Sequence, residues 1–205
     1  MRDGAGCLEP SRSVATLTAL SAAVEERDPF ARGHASRVAV LAHSLARREG
    51  FDRERIARLR TGAVLHDIGK LAVPREVLLK TGPLDEVEFR QIRRHPTVGA
   101  RMLRAVGDAL EALPCVLFHH ERWDGAGYPS GRARDEIPLE ARILAVADSF
   151  DAMTSDRPYR SASPAEAALE ELHRCAGTQF DPALVEAFIA ACYEGDLGWD
   201  AALAV

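Results

Sequence analysis

Apolar residues near the start of the chain recur at helical spacing. Val14, Leu17, Leu20 (or Ser21) and Val24 share one face, and Asp28-Pro29 ends the run, because a residue before proline resists the α region. A second amphipathic helix is predicted from about His34 to Arg48. Its apolar face carries Val38, Leu41 and Leu45, and Gly50 follows it, suited to the left-handed position past a helix end. A third helix, from about Asp52 to Asp67, buries Ile56, Leu59, Ala63 and Val64 and stops at Gly69. The pair His66-Asp67 then falls on its last turn, with side chains about 100° apart around the axis. The stretch from Val73-Pro74 to Gly82-Pro83 is punctuated, and the next helix, Asp85 to Arg94, breaks at His95-Pro96. Pro96 opens another helix at its first position. A helix from about Asp108 to His120 ends in adjacent histidines, and the loop Trp123 to Gly131 is too rich in glycine and proline for regular structure. A strongly apolar helix, Leu139 to Met153, carries Asp148, and amphipathic helices near 164–175 and 181–194 finish the pattern. There is no internal repeat and no linker.

Composition supports an all-α reading: alanine, at 35 positions, outnumbers valine plus isoleucine, at 20, and only 6% of the chain is aromatic. With 205 residues the chain is long enough for one self-sufficient core. The division expected is a short segment over 1–13, a single domain over 14–194 and a tail over 195–205. A net charge of −5 supplies no general attraction to polymeric nucleic acid or anionic lipid. No apolar run reaches membrane-span length, and the stretch Ser13 to Val24 is broken by Thr and Ser and followed by Glu25-Glu26, which disfavours a signal peptide. Cys7, Cys115, Cys175 and Cys192 form no CxxC pair, so neither a disulfide scaffold nor a thiolate zinc site is expected, and a reducing cytoplasm suits them.

The chemistry lies in His34, His66, Asp67, His95, His119, His120 and Asp148, which hold five of the seven histidines, each at a predicted helix end or break. A single histidine on an apolar face is ordinarily a satisfied core residue. Seven polar groups on apolar helices need partners, and convergence on one cluster supplies them. Imidazole and carboxylate without thiolate favour Fe, Mn, Zn, Ni or Co. Seven donors exceed the needs of one zinc, whereas two ions about 3.5–4 Å apart with a shared carboxylate would use them, an arrangement common in phosphoryl chemistry. Of 26 basic residues only Lys70 and Lys80 are lysine, which makes Lys70, one turn past His66, conspicuous.

The strings His66-Asp67-Ile68-Gly69-Lys70 and His119-His120-Glu121-Arg122-Trp123-Asp124-Gly125-Ala126-Gly127-Tyr128-Pro129 resemble the two signature motifs of the HD-GYP family, a branch of the HD phosphohydrolases. The likeness continues through Gly33 to Val38, Arg94-His95-Pro96, Ala147 to Arg160 and Gly177 to Pro182, covering roughly residues 14 to 192. The resemblance implies a single all-helical HD-type domain with a buried histidine/aspartate metal centre that hydrolyses cyclic di-GMP to linear pGpG and sometimes on to GMP. It implies two divalent ions, iron first, with manganese, nickel or zinc as alternatives. His34, His66, Asp67 and Asp148 would hold one ion, Asp67 would bridge to a second held by His95, His119 and His120, and a bridging hydroxide would attack. Lys70 would meet charge on a phosphate oxygen, and Arg157 and Arg160 would contact substrate phosphate. Asp151, three residues past Asp148 on the same helical face, either orients a ligating histidine or serves as a cap or surface pair. Gly127-Tyr128-Pro129 would line the entrance or meet a diguanylate cyclase domain, its glycine giving positive φ and close approach.

One position departs from the pattern. Members with three metals carry a glutamate one turn before the first histidine, where this chain has Phe30, and Asp28 is too early to share that face, so a binuclear centre is expected. Two rival readings are hydrolysis of another cyclic dinucleotide, such as a hybrid GMP–AMP ring, and a non-catalytic dinucleotide receptor. A two-fold homodimer is the default assembly.

Overall fold

In the computed structural model the described residues are 12–28, 31–106, 109–156 and 161–197. Their regular structure is helical, with no strand beyond one isolated bridge between Ala176 and Phe180. The helices are α1 (Arg12–Arg27), α2 (His34–Arg48), α3 (Arg53–Leu65), α4 (Arg75–Leu78), α5 (Glu86–Arg93), α6 (His95–Val106), α7 (Leu113–Phe118), α8 (Leu139–Thr154), α9 (Ala165–Arg174) and α10 (Pro182–Tyr193). A 3₁₀ helix, Ile68–Ala72, joins α3 to α4. The predicted helix before His119 is shorter than expected: it starts as a 3₁₀ turn, Leu110–Ala112, and ends at Phe118.

Local chemistry sets these boundaries. Gly50, at φ +74°, ends α2, and Asp52 opens α3 by accepting from the Arg55 amide at 2.7 Å. Asp85 and Glu88 form a capping box at the head of α5. Two apolar clusters carry the fold. The larger joins one face of α2, with Val38, Leu41 and Leu45, to Leu59 of α3, to Ile143, Leu144 and Phe150 of α8, and to α9 and α10. Phe150 and Phe188 meet edge to face in it, 5.1 Å between centroids. The smaller gathers Leu17, Leu65, Ile68, Leu103 and Val116.

Helix α1 braces the end of α3. Leu17 is buried, Ser21 donates to the Val64 carbonyl at 2.5 Å, and Arg27 donates to the carbonyls of Leu71 at 2.8 Å and Val73 at 2.9 Å. The segment carrying His66 and Asp67 is therefore fixed on both sides. Close approach fixes its distance from α6: a Cβ on Gly69 would lie 1.9 Å from the His95 carbonyl oxygen, a contact only glycine permits.

Candidate metal centre

Each sequence-predicted histidine of the centre stands at the end of a helix. His34 is the first residue of α2, His66 follows α3, His95 begins α6, and His119 and His120 follow α7. The carbonyls of a helix's last turn have no partner within the helix. Three imidazoles satisfy them: Nδ1–H donates from His66 to Ala63 at 2.7 Å, from His95 to Ile92 at 2.8 Å and from His119 to Cys115 at 3.0 Å. A carbonyl can only accept, so each bond puts the proton on Nδ1 and leaves an Nε2 lone pair pointing inward. His34 is fixed the same way by a carboxylate, its Nδ1 lying 2.7 Å from Asp151 Oδ2.

Those lone pairs converge. His95 Nε2 and His119 Nε2 are 3.1 Å apart, and His66 Nε2 is buried with no hydrogen-bond partner among the described residues. Asp67 faces both halves of the cluster, with Oδ1 3.3 Å from His95 Nε2 and Oδ2 3.5 Å from His66 Nε2 and 4.0 Å from His34 Nε2. Asp148 Oδ1 lies 3.2 Å from His34 Nε2 and 3.9 Å from His66 Nε2. Three donor sets, His95/His119/His120, His34/His66/Asp148 and His66/Asp67/His119, each bring one atom per residue within 4.8 Å of one another. Two lone pairs at 3.1 Å repel, and an orphaned buried imidazole nitrogen is costly. A divalent cation resolves both, so the residues fit one.

Protonation agrees with that fit. Burial pushes His95 and His120 down to about 3 and His119 further below its ordinary value, which keeps these imidazoles in the neutral form a metal needs. His34 behaves oppositely. Burial disfavours its charge, but hydrogen bonds and attraction from Asp148 and Asp151 outweigh this and raise it to about 9. Burial also opposes the charge on Asp67, yet Lys70 and the neighbouring imidazoles hold it well below the carboxylate range. Burial opposes the charge on Asp148 as well, and the hydrogen bond and charge of His34, with His66, overcome it and hold this carboxyl well below the usual range.

Around this centre, Lys70 Nζ sits 2.5 Å from Asp67 Oδ2. Asp151, fully buried, also accepts from Arg37 through Nε at 2.6 Å and Nη2 at 3.1 Å. A cleft of about 370 Å³ opens over His119, His120 and Asp148, and Gly127, Tyr128, Phe89 and Arg93 contribute to its walls. Tyr128 stacks on His120 with centroids 4.8 Å apart, and Pro129 stands exposed after a cis peptide bond. Gly127 is required by close approach rather than by positive φ, since a Cβ there would lie 2.3 Å from the Arg122 amide nitrogen; the left-handed glycines of the loop are Gly125 at φ +81° and Gly131 at φ +67°. Arg157, Arg160 and Phe30 lie outside the described residues.

Two supports escaped the sequence reading. Glu121 is buried and accepts from the amides of Ser130 at 2.6 Å and Arg132 at 3.1 Å, folding the loop back on itself. Glu25 accepts from the amides of Gly33 and Ala35, both at 2.9 Å, where α2 begins. Glu121 stood inside the second motif string, and only its burial distinguishes it. Glu25 had no signal, because its partners are backbone groups.

An all-helical domain with imidazoles and carboxylates gathered at its helix ends is matched, over residues 18–184, by the model of the HD domain family. A cyclic di-GMP phosphodiesterase of Thermotoga maritima is 41% identical over 175 residues, covering 84% of this chain and 48% of that protein. A 3'3'-cGAMP-specific phosphodiesterase 3 of Vibrio cholerae is 40% identical over 81% of this chain and 36% of that protein. The chain thus spans about half or less of the length of these relatives. The solved structure of a cyclic GMP-AMP specific phosphodiesterase of V. cholerae shares the fold, with a TM-score of 0.69 at 18% identity, over 90% of this chain and 49% of that one. The chain belongs to the HD domain family, in its HD-GYP branch. Among the described residues no helix is long and apolar enough to cross a membrane.

Proposed function

We propose that this domain is a metal-dependent phosphodiesterase that hydrolyses cyclic di-GMP to linear pGpG, with onward cleavage to GMP as a further step. The observation that carries the reading is the set of inward Nε2 atoms, each fixed by an Nδ1 bond and gathered around Asp67, with His119, His120 and Asp148 lining an open cleft. His34, His66 and Asp148 would hold one divalent ion, His95, His119 and His120 a second, and Asp67 would serve both. The donor chemistry admits iron, manganese, nickel or zinc alike, and iron is put first on the family resemblance. Bound ions supply Lewis-acid activation of water at neutral pH and screening of phosphate charge.

The chain's own residues do the rest. Nδ1 bonds hold the imidazoles in one tautomer and orientation, so no reorganisation is needed when substrate arrives. Lys70, beside Asp67, meets negative charge gathering on a phosphodiester oxygen. Gly127 and Tyr128 wall the cleft, and Arg157 and Arg160 contact phosphate. The exposed Pro129 end of the loop suits contact with a diguanylate cyclase domain, and a cytoplasmic setting and a two-fold dimer complete the reading. A second substrate, the hybrid GMP–AMP ring, is favoured by the 40% identity to the V. cholerae enzyme named for it.

The test is anaerobic incubation of protein reconstituted with Fe(II) or Mn(II) with each cyclic dinucleotide, following pGpG and GMP by chromatography. Metal-dependent pGpG from the parent, and none from Asp67→Ala with both ions lost, is expected. No turnover of any ring by fully loaded protein overturns the reading.

A further inference from the structure

Helix α5 buries none of its residues, yet it forms one wall of the catalytic cleft. Two of its side chains, one helical turn apart, face that cleft: Phe89, 49% exposed, and Arg93. The Arg93 guanidinium lies 4.5 Å from the centroid of Tyr128 and 5.7 Å from that of Phe89. Tyr128 in turn stacks on His120 of the centre. Arg93 has no carboxylate partner among the described residues, whereas Arg122 in the same cleft is held by Asp124.

A guanidinium held by aromatic faces keeps its N–H fork free at its edge. That fork matches two adjacent acceptors, and among nucleobases the O6/N7 edge of guanine presents them, while adenine presents a donor at the corresponding place. An exposed aromatic ring beside it is a stacking platform for a base. A phosphate would also accept the fork, but it would leave the neighbouring Phe89 ring without a role.

We propose that Phe89 and Arg93 form a nucleobase subsite that selects guanine, Phe89 by stacking and Arg93 by donating to the O6/N7 edge. This rests on the phosphodiesterase reading above. It makes α5, which supplies no proposed metal ligand, the source of base specificity.

The test uses metal-loaded protein and hydrolysis-resistant bis-phosphorothioate analogues of cyclic di-GMP and cyclic di-AMP, with affinities measured by calorimetry. The parent is expected to prefer the guanine ring. Arg93→Ala and Arg93→Lys should each lose about ten- to hundredfold in affinity for the guanine analogue and change little for the adenine one. Phe89→Ala should weaken both by about tenfold or more. Equal losses for both rings in Arg93→Ala would assign the fork to phosphate and overturn the proposal. So would unchanged affinities, or a parent with no guanine preference. Turnover of bis(p-nitrophenyl) phosphate, which has no base, is read in parallel. Absence of turnover in the loaded parent counts against the phosphodiesterase reading alone, because the binding preference is measured independently.

Discussion

Replacing Asp151 by alanine tests how the centre is held. Its carboxylate is fully buried and joins His34 Nδ1 at 2.7 Å to Arg37, which lies 2.6 Å from its other oxygen. The Arg37 side chain is itself only 13% exposed. Removing the anion leaves the His34 Nδ1–H without its acceptor and a largely buried guanidinium without its counter-charge, although Arg37 keeps its bonds to the Arg32 carbonyl and Ser155; breaking a buried pair from one side costs about 3–5 kcal/mol. For a domain of this size each kcal/mol lowers Tm by about 2–4 °C, so metal-free Asp151→Ala should melt about 6–20 °C below the parent. The second expected effect is on metal affinity. Without its Nδ1 acceptor His34 is free to rotate, and loss of such a support weakens a metal site by about 10- to 100-fold. Titration of the metal-free protein should therefore show a weakened site and an intact one, the latter contributed by His95, His119 and His120. Asp151→Asn, which keeps the volume and one acceptor, should fall between the two on both measures. A Tm unchanged from the parent's together with parental metal affinity would refute the reasoning.

Gly69→Ala forces a methyl group against the His95 backbone and should lower stability by about 1–3 kcal/mol or more by overpacking; metal titration should also show the halves linked by Asp67 weakened, and an unaffected titration would show that the approach is not needed. Glu121→Ala leaves two loop amides without their acceptor and should cost about 1–3 kcal/mol, with hydrogen exchange at Ser130 and Arg132 rising; unchanged exchange there would remove the role given to Glu121. The metal-free protein should lose stability as pH falls from 7 to 5. Burial depresses His95 and His120 to about 3, and His119 as well, from 6.5, so the unfolded chain takes up these protons first. His34, raised to about 9 by its carboxylate neighbours against burial, gains its full contribution only below 6.5 and loses it as pH rises through 9, so one such group offsets part of the fall that three depressed imidazoles cause. A Tm that is flat across this window in metal-free protein would show that the three imidazoles are not buried in neutral form.

The helices were legible where a period and a stop signal coincided. The reading of about His34 to Arg48 matches α2, because Gly50 closes a regular apolar face. The segment before His119 was read as too long, because a 3₁₀ turn shares the spacing of a short α-helical stretch. The convergence of the histidines was legible because five of the seven stand at predicted helix ends or breaks, and His66, His119 and His120 fall in the two motif strings. What the sequence did not carry was the hydrogen-bonding of each ring, since the acceptors are backbone carbonyls that every residue possesses. Gly127 was misread in part for a related reason: positive φ and close approach both select glycine, and only the backbone 2.3 Å away separates them.

The proposed donors come from the ends of α2, α3, α6 and α7 and from the middle of α8, so their positions run from 34 to 148 along the chain. A bound cation then acts as a reversible cross-link closing loops that long, and no short fragment of the chain contains a whole donor set around Asp148 and His34. Loop closure of this length is entropically expensive in the unfolded chain. Metal occupancy is accordingly coupled to completion of the fold, and ions saturating the centre at about 100 times their dissociation constant would add about 2.7 kcal/mol per site to its stability.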